Sequence, residues 1–345
     1  MKHITALLIF ILGALSAEAY NPDESSGMIF FREKSYELAL PKLQRAAKAG
    51  SLPALDALGQ MYQHGWGVKA DKTIMMNMYS KAAMQNYHPT LYNLGRYYIE
   101  SGDKEKGLEM LAKASEYGSV IASMFLGYDY TATDPDKAIK YFRHAEANGE
   151  ESALNGIAMV YITGKDYENA FATLLEARKR RVLTDETKFM LASMYYTGQG
   201  TVKDLDKALE LVTEAKENGY APAVQSYDEV YTAANKVTLP LYPGGTDALY
   251  RFIRKNARTP HAAIQSALNG TATVEFTITP QGTVTGAHYV RRCNVRVDEE
   301  VMRIVNMMPG WTPATKGGKK RSTVARLSMS FFPAYSSELK FVSIR

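Results

Sequence analysis

The sequence predicts an α+β protein: an N-terminal α-solenoid of helix–turn–helix repeats, followed by a small α+β domain with an antiparallel sheet. Three observations predict it. Small and aromatic residues recur every 31 to 38 residues through the first two thirds of the chain. Near residue 238 that helical period gives way to a period of two. The charge changes sign at the same place: residues 240–345 carry 15 Lys/Arg against 6 Asp/Glu, a net of +9, so a chain of +5 leaves −4 for the remainder.

The repeats show as two columns. In the first, a small residue precedes a tyrosine by three positions: Gly59/Tyr62, Gly95/Tyr98, Gly127/Tyr130, Ala158/Tyr161 and Ala192/Tyr195. In the second, an alanine recurs late in the following segment, at Ala46, Ala82, Ala114, Ala145, Ala177 and Ala215. Four residues later stand Gly50, Asn86, Gly118, Gly149 and Gly219, residues suited to the left-handed turn that ends a helix; Arg181 breaks this pattern. Between the columns the segments are amphipathic: Ala138, Tyr141, Phe142 and Ala145 fall on one helix face, as do Ala208, Leu211, Val212 and Ala215. Small residues let one helix approach its partner, and a Tyr or Phe fills the groove beside it. Such units cannot bury their faces alone and must stack.

Two units carry a longer turn, Tyr62 to Asp71 and Tyr195 to Asp204, each with Gly-x-Gly and an Asp placed to cap the next helix. With Leu58-Gly59-x-Met61-Tyr62, the glycine turn and Tyr79-Ser80-Lys81-Ala82-Ala83, the pattern resembles the Sel-type repeat, a relative of the tetratricopeptide repeat. Leu94-Gly95-x-Tyr97-Tyr98 with Lys113-Ala114 repeats it in shortened form. The resemblance covers about residues 27 to 233 and implies a concave scaffold for proteins or peptides, with no catalysis.

The C-terminal part reads as helix, hairpin, helix, strand. Val237-Thr238-Leu239-Pro240 marks a linker, and Asp247 is placed to cap a helix running through Leu249, Phe252 and Ile253 to about Asn256. Thr259-Pro260 breaks it. Residues 271–278 alternate, Thr279-Pro280-Gln281-Gly282 is a turn, and residues 283–290 return. Asp298 is placed to cap a second helix through Val301, Ile304 and Met308. A last alternating strand holds Val324, Arg326, Ser328 and Ser330 opposite Ala325, Leu327, Met329 and Phe331.

As a set, Tyr242-Pro243-Gly244-Gly245, Gly270, Pro280-Gln281-Gly282, Asp298-Glu299-Glu300-Val301 and Met308-Pro309-Gly310-Trp311-Thr312-Pro313 resemble the TonB C-terminal domain. Thr259 departs from the tyrosine often found before the proline, and Asn269 is a milder departure. The resemblance implies edge-to-edge pairing of the last strand with an extended peptide offered by an outer-membrane TonB-dependent receptor. Carried over by position, the partner-binding residues are Thr323, Val324, Ala325, Arg326, Leu327, Ser328, Met329, Ser330 and Phe331. Arg326 would meet an acidic peptide, or serve as a guard on a protected edge.

Lys2, the apolar run Ile4 to Leu15 and Ala17-Glu18-Ala19 read as a secretory signal peptide over residues 1–19. The alternative is an uncleaved anchor, but the run is about a dozen residues and a spanning helix needs roughly 20. The expected organisation is signal peptide 1–19, repeat array 20–236 and TonB-like domain 237–345. An energy transducer of the TonB type also has a membrane anchor and a long Pro-rich linker; here the 13 prolines are scattered and helical repeats precede the domain.

Other chemistry finds little footing. Cys293 is the only cysteine, so no internal disulfide forms, and a lone thiol reads as packing. The six histidines form no metal-spaced pair, and Met75, Met76, Met78 and Met84 read as core filler. No nucleophile elbow or phosphate loop appears. Export argues against a nucleic-acid partner for the basic domain and leaves anionic envelope surfaces or acidic peptides. The expectation is a periplasmic, non-enzymatic adaptor with no cofactor, metal or small-molecule substrate, linked to TonB-dependent transport. The alternative is a structural or regulatory envelope scaffold without energy coupling.

Overall fold

The computed structural model describes residues 21–258 and 270–331. The expected signal peptide, Thr259-Pro260 and Asn269 lie outside the described residues. Thirteen helices come first among them: α1 Pro22–Arg32, α2 Tyr36–Lys48, α3 Leu52–His64, α4 Lys72–Ala83, α5 His88–Glu100, α6 Lys104–Glu116, α7 Val120–Tyr130, α8 Pro135–Ala147, α9 Ala153–Thr163, α10 Tyr167–Lys179, α11 Asp185–Thr197, α12 Leu205–Glu217 and α13 Ala221–Asn235. Then follow β1 Val237–Thr238, α14 Gly245–Asn256, β2 Gly270–Ile278, β3 Val284–Arg291, α15 Val295–Asn306, β4 Ala314–Lys316, β5 Lys319–Arg321 and β6 Thr323–Phe331. By contacts the chain divides into two compact units, 1–187 and 188–345. No helix among the described residues is long and apolar enough to cross a membrane.

In the first unit the small-residue column does what its spacing implies. A Cβ at Gly59 would lie 2.3 Å from the Tyr79 ring, and one at Gly95 would lie 2.7 Å from Leu111 Cγ. Phe142 is pinched twice, since Cβ atoms at Gly127 and Gly156 would come within 2.7 and 2.4 Å of its ring. Tyr79 and Phe142 are both fully buried. The groove-filling side chains Tyr79, Leu111 and Phe142 therefore come from the second helix of their units. The tyrosines of the column stand at its flank, where Lys106 lies over Tyr98 at 4.3 Å and Lys137 over Tyr130 at 5.3 Å. All six column alanines are 0 or 1% exposed.

Helix ends follow the same period. Asp71, Asp103, Asp134, Asp166 and Asp204 each accept a backbone N–H at the start of the second helix of their unit. Gly50, Asn86, Gly118, Gly149 and Gly219 have positive φ, as expected. So does Arg181, at 62°. The residue that breaks the sequence pattern keeps the conformation, because the chain must still reverse there. For a branched-out L side chain that conformation costs about 1 kcal/mol or more.

Successive repeats are also tied by a recurring polar clasp. Asp56 on α3 accepts from Thr90 Oγ1 of α5 at 2.8 Å. Three units on, Asn155 on α9 accepts from Thr187 Oγ1 at 2.6 Å. Each donor and acceptor is more than nine-tenths buried, so each clasp satisfies groups that burial would otherwise penalise.

In the second unit β2 is the middle strand of the sheet β3-β2-β6, antiparallel on both sides. The alternation of β2 places Ala272, Val274, Phe276 and Ile278 on the core face, each at most 2% exposed. Leu249 and Ile253 of α14, Val297, Val301, Ile304 and Val305 of α15, and Trp311 complete that core. The two expected caps are displaced. α14 starts at Gly245 with Gly244 as its N-cap, so Asp247 sits inside the first turn. α15 starts at Val295 with Asn294 as its N-cap. Asp298 is a buried residue inside α15, and reaches back to accept from Cys293 N at 2.8 Å and Arg292 Nε at 3.2 Å. Cys293 is half-buried. Trp66 stacks between neighbours of its own unit, on Tyr36 at 5.2 Å and His64 at 4.5 Å. Met75 is buried, Met76 and Met78 are partly buried, and Met84 is 81% exposed, so the last of the four is not core.

Candidate partner-binding edge

β6 runs nine residues, from Thr323 to Phe331, and pairs with β2 in unbroken register from Ile278↔Thr323 to Gly270↔Phe331. Its alternation sets its two faces. Ala325, Leu327 and Met329 are at most 1% exposed and face the core. On the other face Ser328 and Ser330 form hydroxyl pairs with Thr273 and Thr271, at 2.9 and 2.8 Å. Val324 stands 49% exposed. The outer edge of β6 has no paired strand among the described residues. Its backbone groups on that side form a row that a further strand could continue.

The structure thus brings all nine expected residues into one edge strand. It gives Arg326 a partner of its own: its Nε lies 2.7 Å from Glu275 Oε2 across the strand pair, and His288 Nε2 approaches the other oxygen of that carboxylate at 3.5 Å. The guanidinium is engaged within the sheet. Glu275 gave no sequence signal for this beyond its place on the polar face of β2.

A second strip of the same unit was not legible in sequence. The segment after α13 is stitched to β4 and the residues just before it: Val237 and Thr238 pair with Lys316 and Thr315, and Leu241 and Thr312 exchange both backbone bonds. Gly317 and Gly318 turn that hairpin with φ of 58° and 81°. Any Cβ at Gly317 would fall 2.7 Å from the Ala234 carbonyl oxygen, so only glycine fits. Lys319 then reaches Asp204 and Asp206 of α12, at 2.7 Å to each. The Asp204 and Asp206 carboxylates hold its ammonium above the ordinary lysine range. The first half of the expected linker, Val237–Thr238, is therefore strand.

A cleft of about 470 Å³ in the repeats is lined among others by Glu109, Glu116, Lys140, Tyr141 and His144. Behind the lining residues Ser115 and His144, Ser123 Oγ lies 3.0 Å from His144 Nδ1 and 2.8 Å from Ser115 Oγ. Ser123 is fully buried and Ser115 4% exposed, and the trio joins α6, α7 and α8. No group of three or more metal-ligating side chains assembles among the described residues.

Residues 256–332 match the family described as the Gram-negative bacterial TonB protein C-terminal, and residues 52–87, 89–119, 121–150 and 186–220 match the Sel1 repeat. An F-box protein of Arabidopsis thaliana is 29% identical over 111 residues, 31% of this chain and 32% of its own length. A sel1-like repeat-containing protein of Acanthamoeba polyphaga mimivirus is 27% identical over 146 residues, 41% of this chain and 26% of its own. The chain thus spans a third or less of the length of these relatives. Among solved structures, a Sel1 repeat protein from Oxalobacter formigenes is 25% identical, covers 61% of this chain and 88% of its own, and has a TM-score of 0.49. A protective antigen of uropathogenic Escherichia coli with an SLR fold is 21% identical, covers 61% and 48%, and also scores 0.49. Both matched families are protein-interaction modules that are in general non-catalytic.

Proposed function

For a chain that joins Sel1 repeats to a TonB C-terminal domain, we propose a non-enzymatic adaptor of the bacterial envelope, exported to the periplasm. In this reading the C-terminal domain takes an extended peptide of an outer-membrane TonB-dependent receptor along the outer edge of β6, and the repeats hold a second protein. The single observation that carries the reading is the nine-residue edge strand, paired on one side only among the described residues. Pairing there draws affinity from main-chain hydrogen bonds, so it needs no particular side chain from the receptor. The cross-strand hold of Glu275 on Arg326 keeps that cation within the sheet, so an acidic receptor peptide is not required.

Hydrogen exchange tests it directly. Adding the periplasmic peptide of a TonB-dependent receptor to the full chain should slow the amides of residues 323–331 and leave the helices unchanged. Unchanged exchange in β6 with every receptor peptide of the same cell would sink the reading and leave a scaffold without energy coupling. Crosslinking in the native envelope then identifies what the repeats hold, and the N-terminus of the mature chain tests export and removal of residues 1–19.

A further inference from the structure

The corner between β3 and α15 is built from residues that folding alone does not favour. Val290 is 48% and Val295 63% exposed. Arg291, Arg292 and Arg296 are exposed between and beside them. Val295 is the first residue of α15 and Arg296 the second. A β-branched apolar side chain gains nothing in water at that place. A cation there opposes the positive end of the helix dipole, where an acidic residue would be stabilising. Local choices that weaken the element they sit in point to a use outside the fold.

Three of the four acids of this region are already engaged, and the fourth, Glu299 of α15, is exposed. Asp298 binds Arg292, Glu300 binds Arg303 and Glu275 binds Arg326. Arg292 is also fixed in place over the Tyr289 ring at 4.5 Å. Arg291 and Arg296 have no carboxylate within ion-pair distance among the described residues. The corner therefore presents unpaired guanidinium groups alternating with bare valines along seven residues.

We propose that this corner seats the C-terminal domain on anionic phospholipid headgroups. Arginine pairs with phosphate through a planar fork of donors, and the valines enter the boundary between headgroup and acyl chain. A lipid surface supplies phosphate and hydrocarbon together, whereas an acidic peptide supplies only the charge. The contact is separate from the β6 edge and stands whether or not that edge takes a peptide.

The test is co-sedimentation of the full chain with vesicles of phosphatidylglycerol and phosphatidylcholine against vesicles of phosphatidylcholine alone. The difference between the two compositions cancels whatever the apolar N-terminal run contributes. The chain should bind the anionic vesicles preferentially and lose that preference as salt rises. Arg291→Glu with Arg296→Glu should weaken the preference by roughly tenfold or more, each lost contact being worth a several-fold change. Arg291→Gln with Arg296→Gln, which keeps size without charge reversal, should weaken it in the same direction, with an unchanged circular-dichroism melt for both pairs. Val295→Asp should weaken it further. Equal binding to the two compositions, no binding to either, or anionic binding that survives both arginine pairs would overturn the proposal. Binding to poly-glutamate without binding to anionic vesicles would overturn it in favour of an acidic peptide. Loss of vesicle binding with intact β6 protection by a receptor peptide separates this contact from the adaptor reading.

Discussion

The repeats and the C-terminal sheet bury apolar surface in opposite ways. In the repeats closure depends on side-chain fit: a glycine on one helix accepts a ring from the next, and a clasp such as Asp56–Thr90 passes a hydrogen bond to the following unit. In the sheet closure depends on the backbone, and β6 has its inner edge satisfied by β2 with no strand on the other among the described residues. The difference teaches where each region is vulnerable. Volume changes should break the repeats, while the sheet should resist loss of its exposed charges and respond at its edge.

The sharpest way to break the repeats is at Phe142, pinched between Gly127 and Gly156. Phe142→Ala should lower stability by about 3–5 kcal/mol in urea unfolding, because neither glycine helix can collapse into the space. The clasp comes next. Asp56→Ala leaves the fully buried Thr90 hydroxyl without its acceptor and should cost about 1–3 kcal/mol.

Asp56→Asn asks a finer question, since Asn155 fills the equivalent place three units on. Burial pushes the Asp56 carboxyl above its ordinary value, against the opposing hydrogen bonds from Thr90, Asn93 and Gln60. A folded-state value above the unfolded one means that the folded chain binds more protons in the interval between them. Stability from this group is then fully present below the unfolded value of 3.8 and falls as pH rises through the folded one. Thermal melts across pH 3.5 to 7 should therefore show a downward component in the wild type that Asp56→Asn removes. A wild-type and a variant profile of equal slope would show that the clasp works by shape alone.

Smaller effects are expected from surface features. Lys319→Ala removes contacts to Asp204 and Asp206, but the lysine side chain is 51% exposed, so the change should stay within about 1 kcal/mol. Its readout is faster amide exchange in the β4–β5 hairpin. Arg181→Gly should raise stability slightly, by about 0.5–1 kcal/mol in urea unfolding, since glycine relieves a φ of 62°.

Much of this was legible because helices and strands write their burial as a period. The alanine column, the small-residue column and the alternation of β2 and β6 all placed their residues in the core. The candidate edge could be placed as residues 323–331 before its partner strand was known. The caps were less legible. Asp247 and Asp298 were each expected one position outside a helix, yet lie inside it, because the chain enters the helices earlier, at Gly244 with φ of 79° and at Asn294, whose side chain accepts from Arg296 N. Arg181 shows the converse: backbone reversal is demanded by the array, and a poor residue tolerates it.

The sequence by itself determined the two architectures, the faces of their elements and the strand that forms the candidate edge. These follow from periodicity, which is local in the chain. Only the tertiary structure decided which partner each polar group takes: Glu275 for Arg326, Thr90 for Asp56, and Asp204 with Asp206 for Lys319 more than a hundred residues away. Hydrogen bonds and ion pairs depend on distances of about 3 Å between groups remote in sequence, and no period encodes those.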